Sequence, residues 1–355
     1  MNRFRRVFYL LDISFTKDRR LFFLCINRYT SICDRILRRI TFYYQYMPDR
    51  TYDIAIVGSG PAAFSASIYA SRYKLSNIVF GKVLGGTISE AHKVCNYPGI
   101  DEISGYDLGM KFFEQAKRLG GEHLAESVIE VKKEEDLFRI TTDTSKEFVA
   151  KSVILATGSN RNRLNLPDEN RFLGKGLSYC ATCDGMFFKD KVVGVVGGSS
   201  AAVMSAVMLA DIAKKVYIIY RGTELRGEPM WVDQAMEREN IKIIYTTLVL
   251  GLEGKQVLER VKLSKVYNGS QYLSLDGLFV EIGSTPNLDL ANQLGIELAD
   301  EGYIKVASNQ STSLEGVWAA GDGTDGSNKF RQVITAASEG SIAANSIFKY
   351  LRKSN

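Results

Sequence analysis

Apolar residues gather into short runs along the chain. Residues 52–57, Tyr-Asp-Ile-Ala-Ile-Val, are largely apolar and β-branched, which predicts a buried strand. The run stops at Gly58-Ser59-Gly60-Pro61-Ala62-Ala63, and a helical pattern then continues to Tyr73. Residues 77–80 predict the next strand. The same succession returns at 191–196, Lys-Val-Val-Gly-Val-Val. Gly197-Gly198-Ser199-Ser200-Ala201-Ala202 follows, then an Ala/Met/Leu-rich helix to Ala213 and a strand at 216–220. The first glycines, at 58 and 197, stand 139 positions apart. A strand, glycine turn, helix and strand occurring twice predicts an α/β chain with two parallel-sheet units. A third apolar run, Val317-Trp318-Ala319-Ala320, ends in Gly321-Asp322, and a helix is expected from about Arg331-Gln332-Val333.

The first glycine turn has a physical reason at each place. Gly58 permits the tight turn, Gly60 lets the backbone approach a pyrophosphate, and Ala63 allows close packing of helix on strand. The helix N-terminus then faces the phosphates. The acidic residue expected about 20 positions later for ribose binding is missing, since that strand ends Val79-Phe80-Gly81-Lys82. A carboxylate at Asp322, closing a buried strand, suits a ribityl hydroxyl, and the helix after it can face an electron-rich flavin oxygen.

Composition narrows the class. Hydrophobic residues at 45% and charged residues at 24% fit an ordinary globular protein of about two domains. The net charge of +5 is uneven: residues 1–46 hold ten Lys and Arg against three Asp, or +7, so the remainder carries −2. Nucleic-acid binding over the main surface is therefore disfavoured. No apolar run approaches the ~18 residues of a membrane-spanning helix. The first 46 residues contain no Ala, Gly or Glu but eleven Phe and Tyr, and have neither the apolar centre nor the cleavage site of a secretory signal. The leader, 1–47, reads as lying outside the folded part. Either it is a start-site artefact with initiation at Met47, or it is a basic targeting or membrane-surface segment. The expected location is the cytoplasm, or an organelle stroma if the leader is a transit peptide.

Five cysteines, an odd count in a long chain, point to a reducing compartment. Two of them form Cys180-Ala181-Thr182-Cys183, with Asp184 directly following. Metal binding would need a second pair at suitable spacing, and Cys25, Cys33 and Cys95 do not provide one. A lone C-x-x-C in an α/β chain reads as a redox dithiol. With only His92 and His123 in the chain, Asp184 is the acid/base candidate.

Taken together, residues from about 52 to 351 resemble the low-molecular-weight, bacterial-type thioredoxin reductases. The resemblance rests on Gly58-Ser59-Gly60-Pro61-Ala62-Ala63, Gly85-Gly86, Asn96-Tyr97-Pro98-Gly99 and Ala156-Thr157-Gly158. It continues through Cys180-Ala181-Thr182-Cys183-Asp184-Gly185, Gly283-Ser284-Thr285-Pro286-Asn287, Ala320-Gly321-Asp322 and Arg331-Gln332. It implies two Rossmann-like, three-layer ββα nucleotide-binding domains, the second inserted in the first. Residues 48–163 and 286–355 would bind FAD, and 164–285 would form the pyridine-nucleotide domain carrying the dithiol. FAD contacts would come from Gly58, Gly60, Pro61, Ala62, Gly85, Gly86, Asn96, Ala156, Gly158, Gly321, Asp322, Arg331, Gln332 and Val333. NADPH contacts would come from Gly197, Gly198, Ser199, Ser200, Ala201, Arg221 and Arg226. The implied activity is a homodimeric, FAD-dependent enzyme passing electrons from NADPH through Cys180–Cys183 to thioredoxin or a thioredoxin-like protein. By similarity Cys183 faces the flavin, Cys180 attacks the protein substrate and Asp184 supplies the proton. A dithiol in the second domain cannot face both at once, so the domains are expected to rotate.

The departures concentrate at the second glycine turn. Ser199 stands where the family has a third glycine. The family's His-Arg-Arg reads Tyr220-Arg221-Gly222, with Arg226 retained, and its acidic pair on the following helix reads Met204-Ser205. One fork of a phosphate clamp is therefore missing. Two alternatives follow: the same dithiol chemistry with a donor such as ferredoxin, or an FAD-binding protein without disulfide reductase activity.

Overall fold

The computed structural model describes residues 50–353; the leader, 1–47, lies outside them. Strand β1 (Thr51–Tyr52) leads into β2 (Ile54–Val57), all four residues of which are buried. The expected run 52–57 is broken at Asp53, whose carboxylate accepts from the Ser76 amide and hydroxyl at 2.9 and 3.0 Å. Helix α1 (Pro61–Arg72) starts on a proline, whose missing N–H has no partner in the first turn anyway. After β3 (Asn77–Phe80), helix α2 (Gly105–Arg118) is capped by the Ser104 hydroxyl, which accepts from the Asp107 amide at 3.0 Å. Lys117 and Arg118 close its last turn, where the helix dipole favours cations. Then come β4 (Glu122–Leu124), the antiparallel meander β5 (Val128–Glu134), β6 (Leu137–Thr142) and β7 (Glu147–Ala150), and the buried β8 (Val153–Leu155) and short β9 (Ser159–Arg161).

The second unit contains α3 (Glu169–Phe172), β10 (Leu177–Ser178), α4 (Ala181–Asp184), β11 (Val192–Val196), α5 (Ser200–Ala210), β12 (Lys215–Ile219), α6 (Pro229–Glu237) and β13 (Ile241–Ile244). Three antiparallel strands, β14 (Val249–Glu253), β15 (Arg260–Tyr267) and β16 (Ser270–Ser274), precede β17 (Gly277–Val280). The sheet runs β10-β17-β11-β12-β13, all parallel. Strand order reverses between β11 and β17, the position at which α/β sheets bind ligands beyond their carboxyl ends. Helix α5 ends at Ala210 rather than Ala213, because the chain turns there to lay the Lys214 amide on the Lys191 carbonyl at 2.8 Å.

The chain returns through β18 (Ser284–Pro286), α7 (Asp289–Gln293), β19 (Val317–Ala319) and the long α8 (Val333–Lys353). Strand β19 joins the first sheet beside β8, giving the parallel order β19-β8-β2-β3-β4. The second Rossmann-like unit is thus inserted in the first. Helices α1 and α8 cross closely: a Cβ on Gly340 would stand 2.0 Å from the Ala62 carbonyl oxygen. The Ser65 hydroxyl donates to the Ala337 carbonyl at 2.6 Å. The crossing lies in one core with Ala62, Ala66, Ala343 and Ile347, and burying one such Ile stabilises by about 1.5–3 kcal/mol.

Candidate functional site

Four separate segments meet at the first glycine turn. Gly58, at φ +122°, lies so near the end of β8 that a Cβ would stand 2.0 Å from the Ala156 carbonyl oxygen. Only glycine suits that turn. Gly60 and Pro61 start α1. A Cβ on Gly86 would approach the Gly60 Cα to 3.1 Å, which places Gly85-Gly86 against the turn. A Cβ on Gly321 would stand 3.1 Å from that of Ala62. Gly158 follows β8, and its carbonyl oxygen accepts from the Asn287 amide at 3.0 Å. The Asn96 carboxamide donates to Gln332 at 3.0 Å, closing the far side just before Val333 opens α8.

This cradle carries a buried acid, Glu339, a half-buried one, Asp322, and an arginine. Burial pushes the Asp322 carboxyl above its ordinary range; Arg331 opposes the shift and Glu339 adds to it. The Arg331 guanidinium lies over the Tyr303 ring at 4.2 Å, and its Nε is buried without a hydrogen-bond partner. An orphaned donor beside a half-buried carboxylate suits a polar ligand such as FAD, whose ribityl hydroxyls and ring oxygens offer the missing partners. Glu339 is 4% exposed and accepts from the Gly321 amide at 2.7 Å and the Thr324 hydroxyl at 3.2 Å, so it holds the Gly-Asp turn. Sequence reasoning missed it; its one signal is an acid among Ala336, Ala337, Ala343 and Ala344 on α8.

At the dithiol, Cys180 caps the short α4, and the Cys183 amide donates to its sulfur at 3.1 Å. The two sulfurs are bonded, with Cα atoms 5.3 Å apart. Cys183 is exposed and Cys180 half-buried. Asp184 accepts from the Ser178 hydroxyl at 2.6 Å, which fixes the carboxylate beside the pair. Ser178, a second residue missed from sequence, also accepts from the Cys180 amide at 3.0 Å. Among the described residues no cluster of His, Cys, Asp and Glu is arranged to hold a metal ion.

The second glycine turn is tight in the same way as the first: a Cβ on Gly197, at φ +143°, would stand 2.2 Å from the Glu281 carbonyl oxygen. Ser199 and Ala201 are exposed at the start of α5, and Ser199 bridges Arg226 in a parallel backbone pair. The Arg226 amide donates to the Gly198 carbonyl at 2.7 Å, and the Glu228 amide to the Ser200 hydroxyl at 3.0 Å. Arg221 and Arg226 are exposed and make no ion pair with another described residue. A helix N-terminus flanked by two such cations fits a phosphorylated dinucleotide. Where the acidic pair was expected on α5, Ser205 instead donates to Glu281 at 3.1 Å, so the acid comes from the end of β17.

The sequence model for pyridine nucleotide-disulphide oxidoreductases matches residues 52–340. The chain is 35% identical over 308 residues to a thioredoxin reductase of Bacillus subtilis, covering 86% of this chain and 96% of that one. Its fold superposes on the thioredoxin reductase of Lactococcus lactis in the FR conformation with a TM-score of 0.81 at 31% identity, over 85% of this chain and 100% of that one. For the T. acidophilum thioredoxin reductase the TM-score is 0.80 at 34% identity, over 86% and 100%. The chain belongs to the thioredoxin reductases of the pyridine nucleotide-disulphide oxidoreductase family.

Proposed function

We propose that this chain takes electrons from NADPH and passes them, through FAD and the Cys180–Cys183 dithiol, to the disulfide of a thioredoxin. The observation that carries the reading is the bonded Cys180–Cys183 pair with Asp184 held at its side, in a chain that also builds a flavin cradle. FAD, when bound, supplies two-electron exchange between a nicotinamide and a disulfide. The residues from Gly58 to Val333 that line the cradle hold and orient it. Gly197 to Ala201, with Arg221 and Arg226, hold the nucleotide. The domains are residues 48–163 with 286–355, and 164–285.

In the thiol step, one cysteine thiolate attacks the substrate disulfide, and a mixed disulfide forms as one substrate thiolate leaves. The second cysteine of the pair then attacks that bond, which frees the other substrate thiolate and restores Cys180–Cys183. Two protons reach the departing sulfurs, and Asp184 is placed to carry one. By similarity Cys180 makes the first attack; Cys183 is the more exposed of the two in this orientation. We further propose a homodimer working in the cytoplasm.

Anaerobic titration of the oxidised protein with NADPH tests the reading. Flavin bleaching followed by reduction of added thioredoxin is expected. An unbleached flavin at millimolar NADPH would overturn the donor.

A further inference from the structure

Two short strands carry the chain between the sheets, and they pair: β9 and β18 form an antiparallel ribbon with Arg161 opposite Ser284. Arg161 reaches both units from this ribbon. Its Nε and Nη2 donate to Glu90 Oε2 at 2.9 and 2.6 Å. Its Nη1 donates to Glu281 Oε2 at 2.6 Å. Glu90 ends the 3-10 turn Gly86–Glu90, which lies against the first glycine turn. Glu281 follows β17, and its other oxygen accepts from Ser205 on α5. The network therefore runs from the first unit, through the ribbon, into the second.

The two arms differ in strength. The Glu281 side chain is 7% exposed and that of Glu90 37%. Separating a buried charge from its partner is strongly destabilising, whereas a solvent-screened pair is held weakly. A rotation that moves Glu90 away from Glu281 cannot keep both arms, so the Glu90 arm is the one that gives.

We propose that Arg161 is a positioning residue that latches the two units in the present orientation, with Cys183 exposed, and that its Glu90 arm opens when the units rotate. This rests on the reading that the dithiol alternates between flavin and thioredoxin. The latch sets how often the dithiol faces solvent and takes no part in the bond chemistry.

The test compares wild-type holoprotein with Glu90→Gln. Both are reduced anaerobically with dithiothreitol and treated with iodoacetamide, and alkylation of Cys183 is followed by mass spectrometry. Loss of one exposed arm should weaken the present orientation roughly three-fold against the rotated one, in line with a screened ion pair, and slow alkylation by up to that factor at unchanged flavin content. A merely structural defect loosens the fold and speeds alkylation; only a shift of orientation slows it. Lys305→Met, which breaks a remote pair with Glu297, should change nothing. An unchanged or faster rate in Glu90→Gln overturns the latch. Thioredoxin reduction by the wild-type protein is assayed on the same sample, and its absence would sink the functional reading while leaving the alkylation comparison to decide the latch.

Discussion

The ring of Tyr220 lies flat against Gly222: a Cβ on that glycine would stand 2.5 Å from the tyrosine Cε1. On its other side the ring meets Gly198, where a Cβ would approach Cγ to 2.5 Å. Tyr220 is 6% exposed and packs in the core of the second unit. The two departures from the family in this stretch are therefore in contact. With the Tyr220 ring in this place, a side chain at 222 would collide with it unless the ring moves.

Gly222→Arg alone should not improve NADPH binding. It should cost about 1–3 kcal/mol of stability through overpacking, read as a lower Tm. Combined with Tyr220→His, it should lower KM for NADPH about ten-fold, the worth of one charge-assisted contact.

Arg221→Ala and Arg226→Ala should each raise KM for NADPH about ten-fold with kcat unchanged, because they remove uniform binding. KM for NADH should not move, and the arginine effect should shrink in high salt. Steady-state kinetics with both nucleotides checks this.

Cys180→Ser and Cys183→Ser should each lower thioredoxin-dependent insulin reduction at least about 10³-fold, since the pair acts as a unit. Asp184→Asn should lower turnover about 10²-fold or more. Ser178→Ala, which frees the Asp184 carboxylate from its hydroxyl donor at 2.6 Å, should have a smaller effect.

Glu339→Gln keeps the shape of the carboxylate but weakens its hold on the Gly321 amide. Gln332→Ala removes the partner of Asn96. Each should weaken FAD retention about ten-fold, the equivalent of one or two hydrogen bonds. Flavin absorbance in the filtrate after ultrafiltration measures it.

Glu126 gives a pH signature. Hydrogen bonds from Lys146 first, and then from Thr142 and Thr144, lower its pKa from 4.5 to about 2. A carboxylate depressed on folding stabilises the native state above its unfolded pKa, and that gain is lost as pH falls towards the folded value. Wild type should therefore melt above Glu126→Gln at pH values over 4.5, with the gap closing as pH falls towards about 2.

The parallel strands were legible because they are buried on both faces: Ile54–Val57 and Val192–Val196 are near-continuous apolar runs. The meanders were not. Strand β5 mixes Val131 with Lys132, Lys133 and Glu134, and only Val131 is fully buried. The glycine turns and the dithiol could be read because their chemistry lies within a few neighbouring residues. Glu339, Ser178 and the Arg161 network could not. Arg161 is one of many arginines until the fold sets Glu90, 71 positions away, and Glu281, 120 away, on either side of it. In sequence Tyr220 stands only for a missing histidine, and its contact with Gly222 emerges from the packing.

The close crossing of α1 and α8 has a consequence for how the protein is made. Helix α1 packs on α8, with Ser65 bonded to Ala337 across 272 positions, and β19 is added only after the whole inserted unit has been translated. On the ribosome the second unit holds all its own strands first and can complete its core. The first unit must wait for α8 with the side of α1 that carries Ala62 and Ser65 uncovered. Contacts so distant in sequence fold slowly and leave apolar surface open meanwhile. Truncations that remove α8 should therefore harm the N-terminal unit more than the inserted one that lies nearer the cut.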